Sequence, residues 1–291
     1  MNSGWKKIVI NGNAELHRSE NCLLIIKDNE SNKIPVNQID SLIIESEQVM
    51  ITSSLMVFLI ENSVNIIFCD CKHNPCFETI PFTGNTLSSE RLTEQISWKN
   101  ERKLEIGCDI IKLKIQNQAN LLRRIGNTDF VYIESLINYV TPEDAMIIEA
   151  EAAKVYFRGL FGNGFHRRTE SSINYSLNYG YSLLLSSINR SIVSYGYNTG
   201  LGLNHHSIRN QFNLSCDIIE PFRPFVDAIT YENLDLDFDK NLKKKLLSIY
   251  SDNIKYNNSI ISLETALDLF TLTVIKRMND ELKFTEVIDF A

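Results

Sequence analysis

The chain has 291 residues, 44% hydrophobic and 22% charged, with a formal net charge of −7. This suffices for one large domain or two modest ones with a full core. The negative balance argues against nonspecific coating of nucleic acid but leaves room for a local basic patch.

Residues 5 to about 80 read as β-rich. WKKIVING, CLLIIKD, DSLIIES and VNIIFCD are short β-branched runs, each closed by Asn, Asp, Gly or Ser. SNKIP reads as hairpin chemistry, and Thr52 or Ser53 can cap a single helix, SSLMVFLIENS. The expectation is a sandwich-like β domain over residues 1–80 whose work is assembly, since no catalytic constellation appears in it. Cys69, Cys71, His73 and Cys76 crowd into eight residues. A structural zinc site normally joins two separated ligand pairs, so packing and a turn at Asn74-Pro75 explain them better.

The apolar run Leu55 to Cys69 is interrupted by Glu61, Asn62 and Asn65, well short of the ~20 residues a membrane span needs. With no secretory pattern in MNSGWKKIVING and six cysteines read as reduced thiols, a cytoplasmic protein without a membrane partner is expected.

Thr, Ser, Gly and Pro dominate residues 81–92, which read as a linker. Beyond it the period turns helical, predicting an all-α domain over 93–291 and an α+β chain as a whole. ISWKNERKLEIGCDIIKLKIQNQANLLRRI is a long amphipathic run with apolar positions at Ile96, Ile106, Ile110, Leu113 and Leu121; FVYIESLINYV is a shorter helix. The third helix has Thr141 as cap, Pro142 in the first turn, Glu143 and Asp144 at the positive end, and Gly162 as its stop. Met146, Glu149, Ala150, Ala153, Phe157 and Leu160 form one stripe on it, opposite Glu151, Lys154 and Arg158. Glu149 therefore points inward, where a carboxylate needs a cation or donors, and Glu151 is a solvated partner of Lys154.

Between Ala152 and Phe212 stand six Lys or Arg (Lys154, Arg158, Arg167, Arg168, Arg190, Arg209) against one acid, Glu170. Segregated positive charge suits a polyphosphate substrate, with Lys154, Arg167 and Arg168 as candidate DNA phosphate contacts. Tyr179 and Tyr181 read as core or dimer packing. The stretch Gly200 to Asp227 then brings His205, Asp217 and Glu220 within 16 positions. On a helix the two acids share a face, and a Gly-containing loop lets His205 fold back toward them. One imidazole and two carboxylates could hold a divalent cation, although the same spacing suits a buried histidine beside two surface acids. Two helices, KNLKKKLLSIYSDN and SLETALDLFTLTVIKRMND, close the chain.

In order along the sequence stand E-x-x-A-A-K-x-Y-F at Glu149–Phe157, the F-H-R-R loop, N-Y-G-Y at Asn178–Tyr181, G-L-N-H at Gly202–His205 and D-I-I-E-P-F-R-P-x-V-D at Asp217–Asp227. Together they resemble the CRISPR-associated integrases of spacer acquisition, the Cas-one family, over essentially the whole chain. The compact length and the F-C-D-x-K-H-N-P turn at Phe68–Pro75 resemble its type II-A branch. The resemblance implies a homodimeric, metal-dependent DNA integrase and endonuclease. Such an enzyme inserts spacers into a CRISPR array with a Cas-two homodimer in a heterohexamer-type complex, with the type II effector nuclease as a further partner. It places the catalytic, metal-binding set on Glu149, His205 and Glu220, with Asp217 as an alternative acid and His206 as the neighbouring histidine. Such a set suits Mg²⁺ or Mn²⁺, and double-stranded prespacer and repeat DNA are the implied substrates. A general metal nuclease on branched DNA and a non-catalytic DNA-binding scaffold are the competing classes.

Overall fold

In the computed structural model, residues 6–28, 30–71, 75–81, 87–279 and 286–291 are described. They fall into two compact units, Met1–Gly84 and Asn85–Ala291.

The first unit contains β1 (Lys6–Ile10), β2 (Ala14–Ser19), β3 (Cys22–Lys27), β4 (Glu30–Pro35), β5 (Ile39–Ile44), β6 (Val49–Ile51), α1 (Ser53–Glu61), β7 (Asn65–Cys69) and β8 (Pro75–Glu78). Two four-stranded sheets result, in the orders β1-β5-β7-β8 and β4-β3-β2-β6. β5 pairs in parallel with both β1 and β7 and is buried at every position, as a central parallel strand should be. Its one charge, Asp40, meets Lys7 at 2.6 Å. Leu16 and Leu23 of one sheet, Leu42 and Ile66 of the other, and Leu55 and Leu59 of α1 share one core. Thr52 is the cap of α1, accepting from the Leu55 amide at 3.3 Å. SNKIP is no turn: it lies in β4, paired antiparallel with β3. Its exposed Lys33 and terminal Pro35 suit a strand at a sheet edge. Of the cysteine-rich turn, His73 lies outside the described residues, and all six cysteines are free.

The second unit opens on α2 (Ser88–Ile96), then α3 (Asn100–Arg124), α4 (Phe130–Leu136), α5 (Ala145–Phe161), α6 (Ser172–Ser194), α7 (Asn213–Ile218), α8 (Arg223–Tyr231) and α9 (Lys240–Ser248). It closes with β9 (Asn253–Tyr256), β10 (Ser259–Ser262), α10 (Leu263–Met278) and β11 (Ile288–Phe290). The unit is therefore helical but carries one small antiparallel sheet, β10-β9-β11. Residues 88–92, expected in a linker, belong to α2. Gln95 of that helix is buried and donates to the carbonyls of Asn198 and Leu201, so this turn is tied into the fold; linker positions 82–86 lie outside the described residues.

The long run from Ile96 is one helix, α3, from Asn100 onward, and Ile96 itself is the last residue of α2. Ser97–Lys99 join the two helices; there Trp98 is buried and donates to Asn279 at 2.8 Å, while Ile96 is exposed. α3 then packs Ile111, Ile115, Ala119 and Leu122 against Ile133 and Leu136 of α4 and Ala152, Val155 and Tyr156 of α5. α6 runs through the unit's interior, with α8 so close at Gly180 that a Cβ there would lie 2.4 Å from Val226 Cγ1.

Candidate active site

One face of α3 organises the site. Gly107, Lys114 and Asn117 recur at helical spacing, so they look the same way. At Gly107 a Cβ would lie 2.2 Å from Asn204 Oδ1, which lets the loop before His205 lie directly on the helix. Two turns on, Lys114 is buried. Asn117 donates 2.7 Å to the carbonyl of Pro221 and fixes the residue after Glu220.

Glu149 comes from the second turn of α5. That helix starts later than the sequence suggests. Residues Thr141 to Asp144 form a turn in which Thr141 Oγ1 accepts from the Asp144 amide at 3.4 Å, and the first helical residue is Ala145. Gly162, with φ +86°, ends the helix as expected. The buried stripe is Ala145, Ala152, Val155, Tyr156 and Leu160, whereas Met146 is exposed. Glu149 lies at the border of that stripe with its side chain 17% exposed. Glu151 is half-buried and accepts from the Tyr132 hydroxyl at 3.5 Å in an exposed contact.

Glu220 opens a 3₁₀ turn, Glu220–Phe222, between α7 and α8. Its carboxylate is buried beside Arg223, whose Nε donates to Oε1 at 3.0 Å. Glu220 Oε2 lies 2.5 Å from the Lys114 ammonium. The same ammonium bonds Glu149 Oε1. Two carboxylates from separate elements thus converge on one cationic point. Burial alone would push the Glu220 carboxyl up, but Arg223 and Lys114 overcome it and hold the group at about 2. Burial likewise opposes the Lys114 charge, and Glu220 and Glu149 more than offset it, leaving its pKa raised.

Asp217 and Glu220 do not share a target. Asp217 is at the end of α7 and turns to the loop of residues 203–205. Its Oδ2 accepts from the amides of Leu203 (2.6 Å) and Asn204 (3.2 Å), and its Oδ1 from the His205 amide (3.2 Å). Nδ1 of His205 meets the same Oδ1 at 2.7 Å. Gly202 is required here, because a Cβ would lie 2.4 Å from the His205 carbonyl oxygen. The hydrogen bond to Asp217 raises the His205 pKa, and the charges of Glu220 and Glu149 add to it, so the imidazole lies within the field of both glutamates. His206 is exposed.

The basic residues divide. Arg158 and Arg190 are paired with Asp129 (3.8 Å) and Glu264 (3.3 Å), acids outside the positive run. Arg167 donates to Asn174 (2.6 Å) and Asn178 (3.0 Å) on α6 and lies over the Tyr181 ring. Lys154, Arg168 and Arg209 are exposed. Tyr181 and Tyr156 both donate to buried Asp227, the latter at 2.7 Å, so Tyr181 is core. Burial pushes the Asp227 carboxyl up to about 6 against the pull of these donors and of Arg223 and Arg167.

Among the described residues no three His, Cys, Asp or Glu side chains group closely enough to hold an ion as they stand. The donor set nevertheless fits a small hard cation. Two carboxylates already meet at a positive charge, and His205 has its Nδ1 committed and its Nε2 left over. Sequence reasoning missed Lys114 and Arg223. Lys114 falls in the buried i, i+3/i+4 row of α3, where a lysine is a signal in itself, and Arg223 stands three residues after Glu220.

The model for CRISPR associated protein Cas1 matches residues 8–248. The CRISPR-associated endonuclease Cas1 of Neisseria meningitidis serogroup C (strain 8013) is 30% identical over 294 residues, covering 98% of this chain and 97% of that protein. Among solved structures, a casposase bound to integration product superposes with TM-score 0.80 at 19% identity, covering 96% of this chain and 92% of the other. A Cas6-RT-Cas1–Cas2 complex gives TM-score 0.77 at 16% identity, over 96% of this chain and 35% of that one. These two likenesses speak for the fold, and the α+β arrangement agrees with them. With a family model matched over most of its length and a relative matched nearly end to end, the chain belongs to the Cas1 family of CRISPR-associated endonucleases.

Proposed function

We propose that the chain is a metal-dependent DNA integrase of spacer acquisition, joining a DNA 3′-OH to a phosphodiester at a CRISPR repeat. The observation that carries this reading is the convergence of Glu149 and Glu220 on one buried cationic point, with His205 inside their field. Glu149, Glu220 and His205 Nε2 would hold Mg²⁺ or Mn²⁺, which when bound polarises the scissile phosphate and steadies the charge gained in the transition state.

The chain's own residues do the rest. With Nδ1 of His205 facing Asp217 Oδ1, a proton held on Nδ1 would leave the lone pair on Nε2 for the ion. All of the bonds Asp217 accepts go to the 203–205 loop, which favours Glu220 over Asp217 as the direct ligand. Arg223 fixes the Glu220 carboxylate. Lys154 and Arg168 are free to meet phosphates, and Arg167 reaches DNA only with the donors its α6 contacts leave over. Phosphate contacts set position and carry no sequence, so target choice falls to DNA shape and to partners.

The partners proposed are a Cas2 dimer and double-stranded DNA. The Cas1–Cas2 complex among the fold neighbours and the product-bound casposase support them. Homodimerisation through the β domain and the type II-A-like branch with its effector nuclease rest on the sequence resemblance, and a cytoplasmic setting on the cysteines read as reduced thiols. Among the described residues no helix is long and apolar enough to cross a membrane. With water in place of the 3′-OH the same site hydrolyses DNA, in keeping with the endonuclease name of the Neisseria relative.

The test is a strand-transfer assay with labelled prespacer, a leader–repeat plasmid and Cas2. Product should require the ion and a free 3′-OH. Cleavage indifferent to the 3′ end would favour a general nuclease, and binding without chemistry a scaffold.

A further inference from the structure

Lys114 is a buried ammonium with two carboxylates on it, and it stands where the proposed ion would stand. Its Nζ bonds Glu149 Oε1 and lies 2.5 Å from Glu220 Oε2; its side chain is 10% exposed. Two buried carboxylates facing one point repel each other and carry a heavy desolvation cost unless a positive charge lies between them. Arg223 cannot serve, because it is committed to Glu220 Oε1 from the other side and its ring contact is with Tyr181 at 4.6 Å. A lysine is a point charge on a four-carbon stem, so it can fill the place of a cation and leave by rotating its stem, with no change in the helix that carries it. Glu149 and Glu220 come from α5 and the turn before α8. Tyr156 also ties α5 to Asp227 of α8, but Lys114 is the partner that Glu149 and Glu220 themselves share.

We infer that Lys114 is a displaceable counter-ion: it holds Glu149 and Glu220 in place before the divalent cation arrives and is turned out of the site when the cation binds. This rests on the metal reading of the site. Lys114 is on that account a positioning residue that acts through the two glutamates, and it competes with the ion for the same oxygens. Because the coupling is reciprocal, removing the ammonium should destabilise the metal-free protein and tighten ion binding by the same physical cause.

Full-length wild type, Lys114→Met and Lys114→Gln are compared by thermal melting without metal and by calorimetric titration with Mn²⁺. The metal-free variants should melt roughly 5–15 °C lower, as expected when one partner of a buried pair is removed. They should bind Mn²⁺ roughly tenfold tighter or more, with most of the lost melting temperature restored at saturation. A second measurement needs no variant. In wild type carrying ¹³C-lysine, the Lys114 Cε resonance should shift and sharpen as Mg²⁺ saturates the site. Mn²⁺ affinity unchanged or weakened in both variants overturns the inference and leaves the metal reading standing. So does a Lys114 resonance that ignores Mg²⁺ at saturation, which decides the matter even if neither variant folds. Absence of Mn²⁺ binding to the wild type overturns both readings together.

Discussion

Asp217 Oδ1 lies 2.7 Å from Nδ1 of His205 and also accepts the amide of that same residue. One carboxylate thereby fixes a ring and the backbone that presents it. Asp217→Asn keeps the volume but lets the side chain offer N–H where the ring offers N–H. The variant should bind Mn²⁺ about 10–100-fold more weakly and lose strand transfer, while its circular dichroism stays that of the wild type. Calorimetry with Mn²⁺ checks this; unchanged affinity would remove Asp217 from any part in setting the imidazole.

Glu149→Ala and His205→Ala are each expected to abolish strand transfer and leave the fold intact. Glu151→Ala should retain nearly full activity, since the contact of Glu151 is a long one with the exposed Tyr132. Assay of the three purified variants side by side settles the helical register: equal damage at 149 and 151 would place the site on the wrong face of α5.

Gly202→Ala puts a Cβ 2.4 Å from the His205 carbonyl oxygen and 2.9 Å from Asp217 Oδ2. The first neighbour is backbone and the second is held by the Leu203 and Asn204 amides, so the loop must shift. Activity should fall by two orders of magnitude or so, about 3 kcal/mol of positioning, with a smaller loss of melting temperature. Gly180→Ala differs, because there the Cβ meets Val226 Cγ1 at 2.4 Å. It should cost about 1–3 kcal/mol of stability, and Val226→Ala in the same chain should recover part of it. Denaturant melts of the single and double variants measure that recovery.

Buried Asp227 has its folded pKa raised from 3.8 to about 6. A group raised in this way adds stability below pH 4 that is lost as the pH climbs through 6. Two units correspond to roughly 3 kcal/mol. Glu220, held near 2, acts in the opposite sense, and its share fades as the pH falls from about 4.5 toward 2. Asp227→Asn should flatten the decline in stability between pH 4 and 6 without altering the acid limb. Urea melts across that range give the slope directly, and an unchanged slope would show that Asp227 is ionised throughout.

Arg168→Ala should lower the salt dependence of DNA binding by about one phosphate contact with little effect on stability. Arg167→Ala should instead lower the melting temperature, because Arg167 ties the loop to Asn174 and Asn178. Binding isotherms at several salt concentrations separate the two.

Much of this was legible in the sequence. The β-branched runs, the helix around Glu149 and its glycine stop are local signals, and local signals survive folding. The inward set of Glu149 was also readable, although its stripe is turned by about a residue and Met146 is exposed. What could not be read was pairing across the chain. Asp217 and Glu220 look alike at a three-residue spacing, and only the end of α7 sends one to the His205 loop and the other to Lys114. Strand β4 was hidden by its polar edge character, and β9 to β11 by their brevity. Lys114 lies 35 positions from Glu149, and no spacing rule reaches that far.

The bond from Asn117 to the Pro221 carbonyl, and the seat of Asn204 over Gly107, put α3 in charge of residues it neither resembles nor adjoins in sequence. A genetic screen scored only on spacer uptake should therefore return a cluster of loss-of-function alleles in this helix. It contains none of the signature runs, and a survey guided by those runs alone would dismiss such alleles as bystanders.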